Sequence, residues 1–318
     1  MKALRVENNE LTLADIVRPE KSGEALVRVL LSGICNTDLE IVRGYAGFSG
    51  TIGHEFVGVV EEAADAPHLI GKRVVGEINV GCGHCETCKK GDSRHCPSRT
   101  VLGIVGRDGA HADFLTLPAR NLLEVGNEIT NEQAVFAEPL AAAFGITEQV
   151  EIAPETRVAV VGDGKLGLLC AQSLALKSRN VSLVGKHEEK MRIAATRGVE
   201  TVLLETAAKL NRSFDVAVEA SGSESGFQTA LDLLKPRGKL VLKSTFQGTP
   251  RWQAARVVVD EITIVGSRCG RFAPALELLE NKAVDVEDMI SAEFALENGV
   301  QAMKRAAEKG VLKVLLRP

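Results

Sequence analysis

The hydrophobic pattern divides the chain into three stretches. Up to about residue 140, short apolar runs stand between turn residues, at 25–31, 56–61, 73–75 and 114–117. Helical period is largely absent there, which predicts a mostly β domain. From Ala134 the pattern turns helical. Beyond Val158, strand-like runs at 158–161, 181–184, 201–204, 216–219, 240–242 and 262–265 alternate with helical segments. Six such strands predict a parallel sheet with helices on both faces, an α/β domain. From Val284 the chain reads as a strand, a helix over 296–309 and a strand over 311–316. That tail is too short to fold alone. It is expected to rejoin the first domain, so the expected limits are 1–143, 144–283 and 284–318, with the middle part an insertion.

One stretch of the inserted part carries a ligand signal. An apolar strand ends in Gly162-Asp163-Gly164-Lys165-Leu166-Gly167, an apolar helix follows to Leu176, and a second strand runs to Val184. A dinucleotide site needs this order: Gly162 for the tight turn, Gly164 for close approach of a pyrophosphate, Gly167 for helix–sheet packing. The first amides of the helix, and its dipole, favour phosphate charge. A carboxylate at Asp163 is unfavourable beside a pyrophosphate unless it points away. The second strand ends in Gly185-Lys186-His187, where an acid would hold the ribose of NAD. Glycine leaves room and the two cations suit a 2′-phosphate, so NADP is favoured over NAD, although Glu188 and Glu189 follow and could offset the field.

Composition narrows the class. The 318 residues are 45% hydrophobic and carry a formal charge of −4, which argues against a nucleic-acid or anionic-membrane partner. The N-terminus has no signal-peptide core and no run approaches the ~18 apolar residues of a membrane span. The expected compartment is the cytoplasm, where seven cysteines stay reduced. Four of the seven, Cys82, Cys85, Cys88 and Cys96, are spaced C-x2-C-x2-C-x7-C. Four thiolates on one short loop close a tetrahedral structural zinc shell.

A second set is dispersed. Cys35, His54 and Glu138 offer thiolate, imidazole and carboxylate, enough for a three-ligand zinc with an open position. Taken singly each has a plainer reading: a small buried hydrophobe, a packed ring, a helix N-terminal acid. Spacing alone does not join them.

With the motifs 33–38, Gly53-His54-Glu55, the 82–96 lobe, Glu138-Pro139-Leu140 and the glycine turn in this order, the chain resembles the zinc-containing medium-chain alcohol dehydrogenase superfamily over nearly its whole length. The resemblance is strongest to the polyol, sugar and threonine dehydrogenases. It implies a GroES-like catalytic domain interrupted by a Rossmann domain, with substrate and nicotinamide meeting in the cleft of the two. It implies two zinc ions per chain, the catalytic one on Cys35, His54 and Glu138. It further implies that Thr37 takes the alcohol proton and that Asp38 orients His54. Glu55 would lie beside the metal, able to exchange with another ligand. Ser221 and Ser244, with Thr245 and Phe246, would flank the nicotinamide, and Lys313 would face the pyrophosphate. A small alcohol or carbonyl substrate and a homo-oligomer, dimer or tetramer, are also implied. The chain departs from the family at Glu40, where relatives carry a proton-relaying histidine, and at Gly185. Cys170 and Cys269 fit no motif and read as packing. A zinc-independent NADPH reductase on the same fold and a non-catalytic NADPH sensor are the alternatives.

Overall fold

The computed structural model describes residues 1–19, 23–245 and 254–318. Two compact units are present, Met1–Glu138 with Ile290–Pro318, and Pro139–Met289. Among the described residues no helix is long and apolar enough to cross a membrane.

The first unit starts with a hairpin, β1 (Lys2–Glu7) and β2 (Glu10–Asp15). Its turn residues Asn8 and Asn9 both have positive φ, 49° and 64°. Asparagine tolerates that region, and two such residues make the turn that suits hairpin twist. The main sheet contains β3 (Ala25–Gly33), β4 (Glu55–Glu62), β5 (Arg73–Gly76), β6 (Phe114–Leu117) and β7 (Leu122–Glu124). A short helix α1 (Asn36–Val42) follows β3. Strand β4 pairs antiparallel with β3 and brings Glu55 opposite Gly33.

The second unit is a six-stranded parallel sheet. Its strands are β8 (Arg157–Val161), β9 (Asn180–Gly185), β10 (Glu200–Leu203), β11 (Phe214–Glu219), β12 (Leu234–Leu242) and β13 (Thr263–Gly266). Spatial order is β10-β9-β8-β11-β12-β13, the doubly wound arrangement. Helices α2 (Lys165–Ala175), α3 (Glu188–Ala195) and α4 (Glu224–Leu233) join successive strands. Val158 to Val161 are all buried, as expected of a central strand covered on both faces. Strand β12 is longer than the expected 240–242. Its extension passes through Pro236, Arg237 at φ 62° and Gly238, residues that read as a turn and mask the strand.

The tail comprises β14 (Ile290–Ala295), α5 (Gly299–Ala306) and β15 (Lys313–Arg317). In α5, Gly299, Ala302, Met303 and Ala306 are buried, the i, i+3, i+4, i+7 stripe of an amphipathic helix, while Gln301, Lys304 and Arg305 are exposed. That stripe joins Leu4, Val6, Ile34, Ile41, Ile52, Val314 and Leu316 in one core. Burying each large aliphatic side chain contributes about 1.5–3 kcal/mol, so the tail is a structural part of the first unit. Strand β15 pairs with the end of β3, placing Leu315 opposite Gly33. The expected helix over 296–309 divides into a 3-10 turn, Leu296–Asn298, and α5.

Candidate functional site

Strand order reverses at β8 and β11, and the glycine turn leaves the C-terminal end of β8 at that point. Open α/β sheets bind ligands at such a crevice. Gly162 has φ +120°, and a Cβ there would stand 2.7 Å from the Ser221 amide nitrogen. A Cβ on Gly167 would lie 1.8 Å from the Gly162 carbonyl oxygen. Only glycine fits either position. Gly164 differs: a Cβ there would meet nothing within 4 Å, so the start of α2 faces open space. Lys165, Leu166 and Gly167 form the first turn of α2, whose amides have no earlier carbonyl in the helix to bond. This cradle fits a pyrophosphate.

The strand ends beside the turn carry the other expected residues. Glu219 accepts from the Ser221 amide at 2.8 Å, the Ser221 hydroxyl at 2.7 Å and the Gly222 amide at 3.0 Å. Ser221 thereby shapes the loop after β11. Ser244, partly exposed, follows β12, and a Cβ on Gly222 would lie 3.9 Å from its Cβ. Phe246 lies outside the described residues. Asp163 points away from the cradle. Its Oδ2 accepts from the amides of Lys186 at 2.6 Å and His187 at 2.7 Å, and lies 3.0 Å from His187 Nδ1. A Cβ on Gly185 would stand 2.7 Å from both Asp163 Cβ and Oδ2, so the bare backbone of Gly185 makes room for this carboxylate. Lys186 is exposed and His187 partly so.

In the first unit, the ends of β3 and β4 gather a second group. Ligand atoms of Cys35, His54 and Glu55 lie within 4.8 Å of one another. Cys35 follows β3, His54 precedes β4 and Glu55 opens it, and the antiparallel register brings them together. Asp38 is wholly buried and stands behind His54, with Oδ1 3.4 Å from the ring Nδ1. Its oxygens also accept from the Cys35 amide at 2.8 Å and the Gly53 amide at 3.2 Å. Burial alone would raise the Asp38 pKa. The charge of His54 and the His111 and His54 rings facing its two oxygens outweigh it, holding the carboxyl far below its usual range. Burial likewise opposes charge on His54, yet Asp38 and Cys35 keep the ring well above the ordinary imidazole value. The ring thus faces the Asp38 carboxylate and the Cys35 sulfur, a setting that suits a cation. Thr37 is partly buried, its hydroxyl 3.7 Å from Cys35 Sγ.

Glu138 is not in the Cys35–His54–Glu55 group, though it senses its charges. It opens the helix Ala137–Phe144. Burial pushes its carboxyl up to about 7; His54 pulls against that, while Glu55 and Glu77 add to it. Lys313 has a different place from the one expected by resemblance. Its Nζ is ion-paired with Glu55 Oε2, both side chains 1% exposed, and lies 3.5 Å from the Ile34 carbonyl. The Phe136 ring centroid is 5.5 Å from the same nitrogen. Residues 32 and 111, which carried no expectation, also belong here: Ser32 Oγ is 2.9 Å from His111 Nδ1, and His111 Nε2 is 3.6 Å from Asp38.

The cysteine lobe is separate. The Sγ atoms of Cys82, Cys85, Cys88 and Cys96 lie within 4.8 Å of one another. Cys85 and Cys96 Sγ are 3.7 Å apart. An edge of a tetrahedron with 2.3 Å zinc–sulfur bonds is about 3.8 Å, so the sulfurs fit zinc. The amides of Cys82, Cys85 and Cys88 point at the sulfurs of Cys96, Cys82 and Cys85, at 3.4, 3.4 and 3.5 Å. Amide donors from His84 and Cys85 bring the Cys82 thiol down to about 6. Cys88 goes the other way: the Gly83 amide would lower it, but burial and the neighbouring sulfurs of Cys85, Cys96 and Cys82 push it up to about 11, as expected of four thiols crowded together. None of the seven cysteines is in a disulfide.

Comparison with known proteins agrees with both halves of this description. An alcohol dehydrogenase GroES-like domain matches residues 21–127 and a zinc-binding dehydrogenase domain matches 166–281. The L-threonine 3-dehydrogenase of Streptomyces avermitilis is 30% identical over 341 residues, covering 99% of each chain. Two solved structures superpose with TM-scores of 0.91 at 26% identity, each covering 100% of this chain and 99% of the other. One is a Sinorhizobium meliloti 1021 protein bound to NADP, the other an alcohol dehydrogenase of Escherichia coli CFT073 with NADH. The chain belongs to the zinc-containing medium-chain alcohol dehydrogenase family, in its polyol and threonine dehydrogenase branch.

Proposed function

We propose that this protein is a zinc-dependent dehydrogenase that moves a hydride between a small secondary alcohol or polyol and a nicotinamide carrier, NADP in preference to NAD. The observation that carries this reading is the convergence of Cys35, His54 and Glu55 within 4.8 Å, with Asp38 buried behind the imidazole. Cys35 and His54 hold the catalytic ion, with carboxylate charge from Glu55 or Glu138 completing the set. Cys82, Cys85, Cys88 and Cys96 hold the structural one. When bound, zinc supplies the Lewis acidity that lets an alcohol lose its proton near neutral pH, and the nicotinamide supplies the hydride acceptor. Thr37 takes the alcohol proton on its hydroxyl. Asp38 Oδ1, 3.4 Å from His54 Nδ1, is the acceptor available to that nitrogen and so leaves Nε2 as the ligating nitrogen. The glycine turn binds the pyrophosphate, and Lys186 and His187 give the adenosine end its preference for a 2′-phosphate. Ser221 and Ser244 line the strand ends at the nicotinamide. The protein acts in the cytoplasm as a homo-oligomer. In support of self-association, β13 is an edge strand with Ile264 exposed, and Val258 and Val259 are 75% and 78% exposed.

The test is metal content together with turnover. The purified protein is expected to hold near two zinc ions per chain and to oxidise members of a secondary-alcohol and polyol panel with higher kcat/KM for NADP than for NAD. Cys35→Ala should lose one zinc and the activity while keeping the fold. One zinc per chain in the wild type, with carbonyl reduction by NADPH intact, would establish the zinc-independent reductase instead.

A further inference from the structure

Asp38 is gripped from two sides. Oδ1 takes the Gly53 amide and faces His54 Nδ1; Oδ2 takes the Cys35 amide and faces His111 Nε2. Each oxygen therefore has one amide and one imidazole. His54 Nδ1 and His111 Nε2 are both buried and have no hydrogen-bond partner of good geometry, so the shared carboxylate is the acceptor available to each. His111 and Ser32 are both 0% exposed.

The His111 ring is held by main chain on either side. Its amide donates to the Ile52 carbonyl at 2.9 Å, and its carbonyl accepts from the Leu4 amide at 2.8 Å. The ring lies against Gly53, where a Cβ would stand 2.6 Å from the ring Cγ and Nδ1. The residue before His54 is thus bare because His111 occupies the space. A Ser32 hydroxyl that donates to Nδ1 leaves the proton of the neutral ring on Nε2, toward Asp38.

We propose that His111 is a positioning residue for His54, acting through Asp38 and set in its tautomer by Ser32. Without His111, Oδ2 keeps a single amide and the carboxylate can turn about its Cβ–Cγ bond. Oδ1 then no longer fixes the direction of the His54 ring. Outer partners of this kind change metal affinity by about 10–100-fold in zinc sites. The inference rests on the proposed catalytic zinc at Cys35 and His54.

The test measures zinc affinity by competition with a chromophoric chelator, and the visible absorption of Co(II) loaded at the Cys35–His54 site. The zinc of the four-cysteine lobe serves as an internal reference in the same chain. His111→Phe is expected to weaken the Cys35–His54 site by 10-fold or more and to alter the cobalt bands, with the lobe zinc unmoved. His111→Gln, which can donate to Asp38 and accept from Ser32, should recover affinity to within a few-fold. Ser32→Ala should lose a few-fold, and it carries the test if His111→Phe does not fold. Wild-type affinity and cobalt spectrum in His111→Phe, or in Ser32→Ala where that variant stands in for it, would overturn the inference alone. A wild type that binds only the lobe zinc would overturn the zinc reading and this inference with it.

Discussion

The carboxylate of Asp163 is bonded to His187 at both backbone and ring, by the amide at 2.7 Å and by Nδ1 at 3.0 Å. A residue of the glycine turn therefore ties down the loop that follows β9. Burial would raise the Asp163 pKa, but the amides of His187 and Lys186 and the His187 ring lower it on balance. A lowered folded-state pKa stabilises the protein above the unfolded carboxyl value, near 3.8, and that contribution is lost as pH falls through the folded value. Asp163→Asn should thus be less stable than wild type by about 1–3 kcal/mol near neutral pH, the cost of weakening a charged acceptor with several donors. The gap should narrow below about pH 4. Thermal melts of both proteins from pH 7 to pH 3 check this; a gap that widens toward acid would contradict it.

Gly185 and Asp163 compete for one space. Placing an acid at the end of β9 is the direct way to favour NAD, yet any side chain at 185 meets Asp163 and the Met191 sulfur at 2.7 Å. Gly185→Asp alone should cost about 1–3 kcal/mol by overpacking and like-charge contact, with poor use of either carrier. The double variant Asp163→Gly, Gly185→Asp should recover much of that stability. Its kcat/KM ratio should move toward NAD by tenfold or more, roughly 1.4 kcal/mol, because the acid can then reach a 2′-hydroxyl and repel a 2′-phosphate. Steady-state kinetics with both carriers would decide it.

How much could be read beforehand differs between the two units. The parallel strands were legible because both faces are buried, so Val158 to Val161 form an unbroken apolar run beside a glycine turn. The β1–β2 hairpin has only a faint signal: Asn8-Asn9 stands between short alternating runs, and both residues carry positive φ. In the site, Cys35 and His54 were joined by family pattern and not by local period. The Glu55–Lys313 pair was hidden for a different reason. Its residues are far apart in sequence, and only the pairing of β3 with both β4 and β15 at Gly33 brings them together. His111 was equally invisible, since a buried histidine reads as packing until its partners are known.

The cysteine lobe should behave as a local metal-folded unit. Four sulfurs within 4.8 Å and amides aimed at three of them leave little apolar core to hold residues 82–96 without an ion. Cys96→Ser removes the ligand that is wholly buried. One zinc per chain should be lost, with about 3 kcal/mol or more of stability and early proteolytic cutting inside the loop. Cys170→Ser should retain both ions, because that thiol is buried on α2 and burial pushes it up to about 12, away from ligand chemistry. Zinc analysis and limited proteolysis of the two variants provide the comparison.

Lys313 and Glu55 are each 1% exposed, so neither charge has water to fall back on. Taking one partner from a buried ion pair leaves the other uncompensated, at about 3–5 kcal/mol. Replacing both with uncharged groups of similar shape is often close to neutral. Lys313→Met should therefore destabilise strongly, Glu55→Gln should do so too, and the double variant should be more stable than the sum of the two losses allows. The coupling should exceed roughly 2 kcal/mol, above what exposed pairs reach. Gly33 belongs to the same arrangement: a Cβ there would lie 2.5 Å from Glu55 Oε2 and 3.3 Å from Lys313 Cδ, so Gly33→Ala should displace the pair while both charged groups are retained. Chemical denaturation of the metal-loaded single and double variants measures the coupling. A value near zero would mean that Lys313 does not set the position of Glu55, and that this carboxylate reaches the Cys35–His54 group unaided.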